Sequence, residues 1–153
     1  MILLLPFIPL FAAILILLTP QDKESRLKQI TITSCAINFA VVLLLLFRFD
    51  PHVSGYQFFH RFTWIPFLGV HYQVGLDGIN MTLCLLHALV SFSGALVSCW
   101  PKQRMKEYLC FYLILVGAIY GVFTALDLFQ LYFFYEITLI PLYPMIAIWA
   151  TSH

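Results

Sequence analysis

Residues 128–149 read LFQLYFFYEITLIPLYPMIAIW, with Glu136 near the middle as the only ionisable group apart from tyrosines. A run of about twenty apolar residues is what a bilayer crossing requires. An acid at mid-depth in such a helix costs about 2.5–3.5 kcal/mol on insertion scales. Groups retained at that cost mark proton or ion paths by default, which makes Glu136 the candidate catalytic residue, as a proton-path acid. The plain alternative is a neutral glutamic acid hydrogen-bonded to a neighbouring helix for packing alone.

The rest of the chain reads the same way. Of 153 residues, 62% are hydrophobic and 10% charged, far below the quarter or so that soluble domains carry. Five runs can span: 2–19, 29–47, 79–100, 108–126 and 128–149. All are expected to be helices, because open strands leave backbone groups unsatisfied in lipid. The expected fold is an all-α membrane protein of five transmembrane helices forming a single domain over 1–153. The last two runs are separated by little more than Asp127, which predicts a tight helical hairpin. The N-terminus lacks the positive segment and small-residue cleavage site of a signal peptide, so the first helix is expected to stay in the mature protein.

Between the second and third runs, residues 48–78 form the one sizeable non-spanning segment, too apolar to float free in water. Weak alternation in FTWIPFLGVHYQVGLDG, broken by Pro66 and Gly69, predicts a short β-hairpin turning near Leu68 and Gly69. A small interfacial helix is expected before it. The segment is expected to lie on the membrane surface or to dock on a partner.

Loop charges set the orientation. Lys23, Arg26, Lys28, Lys102, Arg104 and Lys106 lie in the first and third loops, against only Arg48 and Arg61 on the other side. The positive-inside rule puts the N-terminus outside and His153 inside. Trp64, Trp100 and Trp149 fall near expected boundaries. No basic face is present to neutralise nucleic-acid phosphates.

Several side chains could carry chemistry. Glu136 shares a helical face with Phe129, Tyr132, Phe133, Ile140 and Tyr143. The Tyr132 and Tyr143 phenols could hold water beside the acid for a proton path, or could serve helix packing. Pro141 and Pro144 cannot donate to the carbonyls of Ile137 and Ile140, so a helix kink is expected there. In the third run Asn80, Cys84, His87, Ser91, Gly94 and Ser98 alternate four and three apart. Such a stripe either packs on a neighbouring helix or lines a hydrated cavity. His87 keeps the second option open, since imidazole readily exchanges protons near neutrality. His52, His60, His71 and His153 read as solvated side chains. Gly117, Gly121 and Ala125 recur every four residues, the small-residue spacing of close helix contact. Asp77 is expected to be a turn residue or to cap the third helix, and Asp127 to mark a helix boundary. Cys35, Cys84, Cys99 and Cys110 read as buried apolar residues with no metal-binding spacing. No cofactor-binding or metal site is expected in this chain.

Two segments carry a resemblance. GLDGINM at residues 75–81, after Trp64, Ile65 and Pro66, and ALDLFQLYFFYEITLIPLYPMIAIW at 125–149 resemble the antiporter-like membrane subunits of proton-pumping NADH:quinone oxidoreductase, respiratory complex I, and within them subunit 4. The match runs through nearly the whole chain in order. It implies a membrane-arm subunit of NADH:ubiquinone oxidoreductase, contributing to proton translocation coupled to ubiquinone reduction. It also implies that the acid matching Glu136 pairs with a lysine on a later, broken helix, and that the hairpin touches a neighbouring antiporter-like subunit on the outer face. Flavin and iron–sulfur clusters would sit in other subunits of the electron-transport complex. Family members have about fourteen spanning helices, so the chain is expected to be the N-terminal piece of a split subunit 4. A companion chain would carry the rest, in the mitochondrial inner membrane or, alternatively, a bacterial inner membrane. His87 has no counterpart that the resemblance supplies. The rival readings are a subunit of a related sodium/proton antiporter or membrane hydrogenase, and a non-catalytic scaffold or assembly protein.

Overall fold

A computed structural model describes residues 1–98 and 104–150. Cys99, Trp100, Lys102 and His153 lie outside the described residues. Five α-helices are seen: α1 (Leu4–Leu18), α2 (Glu24–Arg48), α3 (Gly78–Ser98), α4 (Met105–Thr124) and α5 (Leu128–Met145). A two-stranded antiparallel hairpin, β1 (Gln57–Ile65) and β2 (Val70–Leu76), stands before α3. The all-helical membrane fold and its hairpin are therefore as the sequence predicts.

Four of the described helices are long and apolar enough to cross a membrane, the last counted as Leu128–Ala150. α1 is shorter than expected, at 15 residues. Pro20 biases Thr19 to extended backbone, and Thr19 duly closes the helix at ψ 132°. α2 begins five positions earlier than its apolar run, at Glu24, whose charge suits the positive end of the helix dipole. Its first turns carry Arg26 and Lys28, residues whose apolar stems suit the end of a spanning helix while their charged heads suit water.

The hairpin turns where expected. Pro66–Leu68 form a single 3-10 turn and Gly69 adopts φ +64°, a left-handed conformation that glycine enters without steric cost. The small helix expected ahead of it is absent. Residues 51–56 instead form turns held by polar contacts: His52 N donates to Asp50 Oδ1 at 2.9 Å and Asp50 N to Gln57 Oε1 at 3.0 Å. Asp50 and Pro51 favour a turn over a helix, and the Asx contact takes the backbone bond a helix would need.

Nor does the hairpin merely lie on the surface. Val74 and Leu76 are fully buried and join Ile2, Leu5, Val42, Leu45 and Tyr120 in one apolar cluster, so β2 closes one end of the bundle. The tip stays free, with Phe67 95% exposed. Beyond the strand, Val74 bridges to Ala125, Leu126 N donates to the Gln73 carbonyl at 3.0 Å, and Gln73 N donates to Gln130 Oε1 at 2.9 Å. The α4–α5 connection is thus stitched to the hairpin. Ala125 consequently falls outside α4, which ends at Thr124 rather than continuing to 126.

Tyr72 packs edge-on to Trp64 and Phe134, and burial pushes its phenol up to about 12. An ordinary phenol titrates near 10. Below that pH both folded and unfolded chains keep the proton, and the group is neutral to stability. Above it the unfolded chain ionises while the packed phenol resists, so the hairpin's docking is expected to weaken through and above pH 10. Tyr72→Phe is expected to remove that alkaline sensitivity and to cost little near neutrality, because the Tyr72 hydroxyl has no hydrogen-bond partner among the described residues. Trp64 fluorescence followed against pH in both proteins checks it. An unchanged alkaline transition in the variant would refute the assignment.

α4 is the central helix, packed on both α1 and α5. Its two glycines explain how. A Cβ on Gly117 would lie 2.8 Å from the Pro6 carbonyl oxygen of α1, and one on Gly121 would overlap the Phe134 ring of α5. The small-residue spacing read from sequence therefore serves two partners, one per glycine.

Candidate functional site

Asp127 starts α5 by accepting from Phe129 N at 2.8 Å and Gln130 N at 3.4 Å. These bonds satisfy donors that a helix N-terminus otherwise leaves unpaired. Asp127→Ala is expected to cost about 1 kcal/mol of local stability, visible as faster amide exchange over the first turn of α5. Wild-type exchange there would count against the cap. Asp77 acts in the same way for α3, accepting from Asn80 N at 2.7 Å.

From that anchored start, α5 buries Gln130, Phe134 and Pro141 against the bundle. Glu136 points the other way and is exposed on the outer side of α5. Tyr132, one turn earlier, is 61% exposed, with its hydroxyl on the same side as the Glu136 carboxyl. Tyr143 is 78% exposed on the same side, two turns further along. The face that unites Glu136, Tyr132, Ile140 and Tyr143 is the face that the other four helices leave uncovered. Phe129 and Phe133, toward the N-terminal end of α5, meet Trp64 of the hairpin with ring centroids 6.0 and 5.1 Å apart.

The prolines lie within α5, which continues past Pro141 and Pro144 to Met145 before passing into a π-helical turn, Ile146–Ala150. Each proline removes one donor from the helix ladder, so the carbonyls of Ile137 and Ile140 lose their usual partners. They lie one residue and one turn beyond the acid. Trp149, in the π turn, stacks edge-on with Tyr108 of α4 at 5.3 Å.

His87 occupies a different place. Its stripe faces α4, where His87 Nε2 lies 3.2 Å from the Val116 carbonyl and the ring sits edge-on to Tyr120 at 4.5 Å. Tyr112 donates to the Ser91 carbonyl at 2.6 Å, and Ser98 and Tyr108 hydroxyls stand 3.3 Å apart. No hydrogen bond or ring contact among the described residues joins His87 to Glu136, Tyr132 or Tyr143.

Polar residues that sequence reasoning passed over line the bundle interior. On α2, Thr31, Ser34, Cys35 and Asn38 are buried on one face, and Asn38 donates to the Leu5 carbonyl of α1 at 3.1 Å. Their spacing of three and four was a readable signal within a run dominated by leucine and valine. Gln130 is fully buried at the α5–β2 junction. Among the described residues, no group of three His, Cys, Asp or Glu gathers that could hold a metal ion.

No family model matches the chain. It is 34% identical over 145 residues to NADH-ubiquinone oxidoreductase chain 4 of Chondrus crispus, an alignment covering 94% of this chain and 29% of that protein. It is 35% identical over 151 residues to NADH-quinone oxidoreductase subunit M of Rhodobacter capsulatus, covering 95% of this chain and 29% of the relative. Its fold superposes on a chain of respiratory complex I from Thermus thermophilus with TM-score 0.79 and 27% identity, covering 97% of this chain and 29% of the other. The chain spans under a third of the length of these relatives. Over that share of their length, the chain is homologous to the subunit M/chain 4 proteins of NADH-quinone oxidoreductases.

Proposed function

We propose that the chain is part of a membrane-arm subunit of proton-translocating NADH:ubiquinone oxidoreductase, with Glu136 as its proton-carrying group. One observation carries this reading: Glu136 and Tyr132 share the single face of α5 that the bundle does not cover. Facing hydrocarbon, that carboxyl would be expensive; facing further helices of the same subunit, it becomes an internal acid. The helices that cover it belong to the remainder of the subunit.

A cation on one of those helices would control the carboxyl. An opposite charge within ~4–6 Å favours the ionised form, and its withdrawal into a dry site favours proton uptake. Alternation between the two loads and unloads one proton. Tyr132 stands beside the carboxyl on the neighbouring turn, and Tyr143 extends the polar edge of the same face. Quinone reduction is driven from subunits that hold flavin and iron–sulfur clusters, with this chain supplying no redox group. We place it in a respiratory inner membrane, mitochondrial or bacterial, and the loop charges favour an N-terminus on the outer side.

Native purification of the membrane complex, with mass spectrometry and an NADH:quinone assay, tests this. Recovery with flavin and iron–sulfur subunits, and with the remaining helices of the subunit, is the expected result. Recovery without redox subunits would replace the reading with an ion exchanger or a scaffold.

A further inference from the structure

An open groove of about 380 Å³ runs between α1 and α2, and none of its lining residues lies on α5. Its walls are apolar: Ile8, Phe11, Ala12 and Leu15 from α1, Ile30 and Ile37 from α2. Polar side chains enter it from α2 alone. Gln29 and Thr33 stand one turn apart along the groove, with Ser34 beside them. Gln29 and Thr33 are exposed, and neither side chain has a hydrogen-bond partner among the described residues. The buried Ser34 hydroxyl also has none among them.

Gln29 lines a second hollow as well, a polar basin formed with residues 21–26, so the groove opens into it. The basin carries two cations, Lys23 and Arg26, and two acids, Asp22 and Glu24. None of the four is in an ion pair among the described residues. Polarity thus falls in order along the groove. Charges stand at the mouth, the Gln29 amide follows about 7–8 Å into α2, hydroxyls come one turn deeper, and Ile37 lies beyond them. One headgroup layer of a bilayer is about that deep, ~5–8 Å.

A partner helix would match this gradient poorly, because its backbone carbonyls are taken up in its own ladder. A phospholipid matches it at each level. Its phosphate suits Lys23 and Arg26, its ester carbonyls can accept from Gln29 and Thr33, and its acyl chain suits the apolar walls. The two acids select further: a purely anionic head would meet Asp22 and Glu24 without compensation, whereas an ammonium on the head pairs with them. We propose that the groove binds one zwitterionic phospholipid, with its phosphate and ammonium in the basin and one acyl chain between α1 and α2. The site is independent of the role given to Glu136.

The intact membrane complex, reconstituted in nanodiscs of equal phosphatidylethanolamine and phosphatidylglycerol, tests it. A density map is expected to show a rod along the groove from Ile37 to Gln29, joined to a phosphate about 2.7–2.9 Å from Lys23 or Arg26. Native mass spectrometry is expected to find phosphatidylethanolamine retained over phosphatidylglycerol, with loss of that molecule in the double variant Lys23→Ala, Arg26→Ala. The parent map and its retained lipid decide the matter should the variant fail to assemble. A protein helix seated in the groove, an empty groove, phosphatidylglycerol in the basin, or full lipid retention by the variant would overturn the proposal.

Discussion

Glu136→Gln is expected to assemble as the parent does and to lose proton translocation through this subunit's path by about a hundredfold, the low end of the ~10²–10⁴ range for removing a positioned proton-transfer group. The side chains are nearly the same shape, so the Tyr132 hydroxyl keeps a polar neighbour. The amide is also cheaper to place in the bilayer than a carboxylate, so assembly has no reason to suffer. What disappears is the group that can hold and release a proton. Purified complex in sealed vesicles, with a pH-sensitive dye inside and NADH oxidation followed in parallel, gives protons moved per NADH oxidised. A ratio equal to the parent's would make Glu136 a packing acid. Tyr132→Phe in the same assay separates the acid from its neighbour: a smaller loss is expected, because the carboxyl remains.

The second large effect is steric. Gly121→Val is expected to prevent normal seating of α5 on α4 and to lower the yield of assembled complex severely. Any Cβ at Gly121 falls within the Phe134 ring, and that ring is 95% buried. It has little room to retreat, with Phe133 edge-on at 5.7 Å and Tyr72 at 6.4 Å. Overpacking of this kind costs about 1–3 kcal/mol for modest insertions, and valine adds more than one carbon. Gly121→Ala should fall within that span, and pairing it with Phe134→Leu should recover part of the loss, as coupled contacting residues do. Native gels and thermal unfolding of the complex would read the series. Parent-like accumulation of Gly121→Val would mean that the two helices do not meet at this glycine.

The elements legible beforehand were those that lipid or local stereochemistry dictates. Apolar runs announce helices because the bilayer leaves the backbone no alternative, and Pro66 with Gly69 marks a turn by itself. Asp77 and Asp127 could be read as boundary residues because a short acceptor at a helix start has few other uses. Elements that depend on partners were not legible. Gly117 and Gly121 show a smooth helix surface without saying that α1 takes one and α5 the other. Likewise, Glu136 is conspicuous in an apolar run, but both flanks of α5 are apolar and periodicity cannot tell which one the bundle covers. The polar face of α2 through Asn38 was hidden by its neighbours' hydropathy. The turns at 51–56 replaced an expected helix because side-chain acceptors at Asp50 and Gln57 outcompeted it.

The stitch between β2 and the α4–α5 connection also imposes a schedule on biogenesis. Gln73 and Gln130 are 57 positions apart in the chain. At ~5–20 residues per second of synthesis, the strand waits about 3–11 s before its partner emerges. During that interval an unpaired strand edge and the apolar hairpin tip are displayed together, a combination open to wrong pairing. Disturbing the Gln73–Gln130 contact should therefore show first in slow or chaperone-dependent insertion of newly made chains, with the turnover of complexes that do mature left intact.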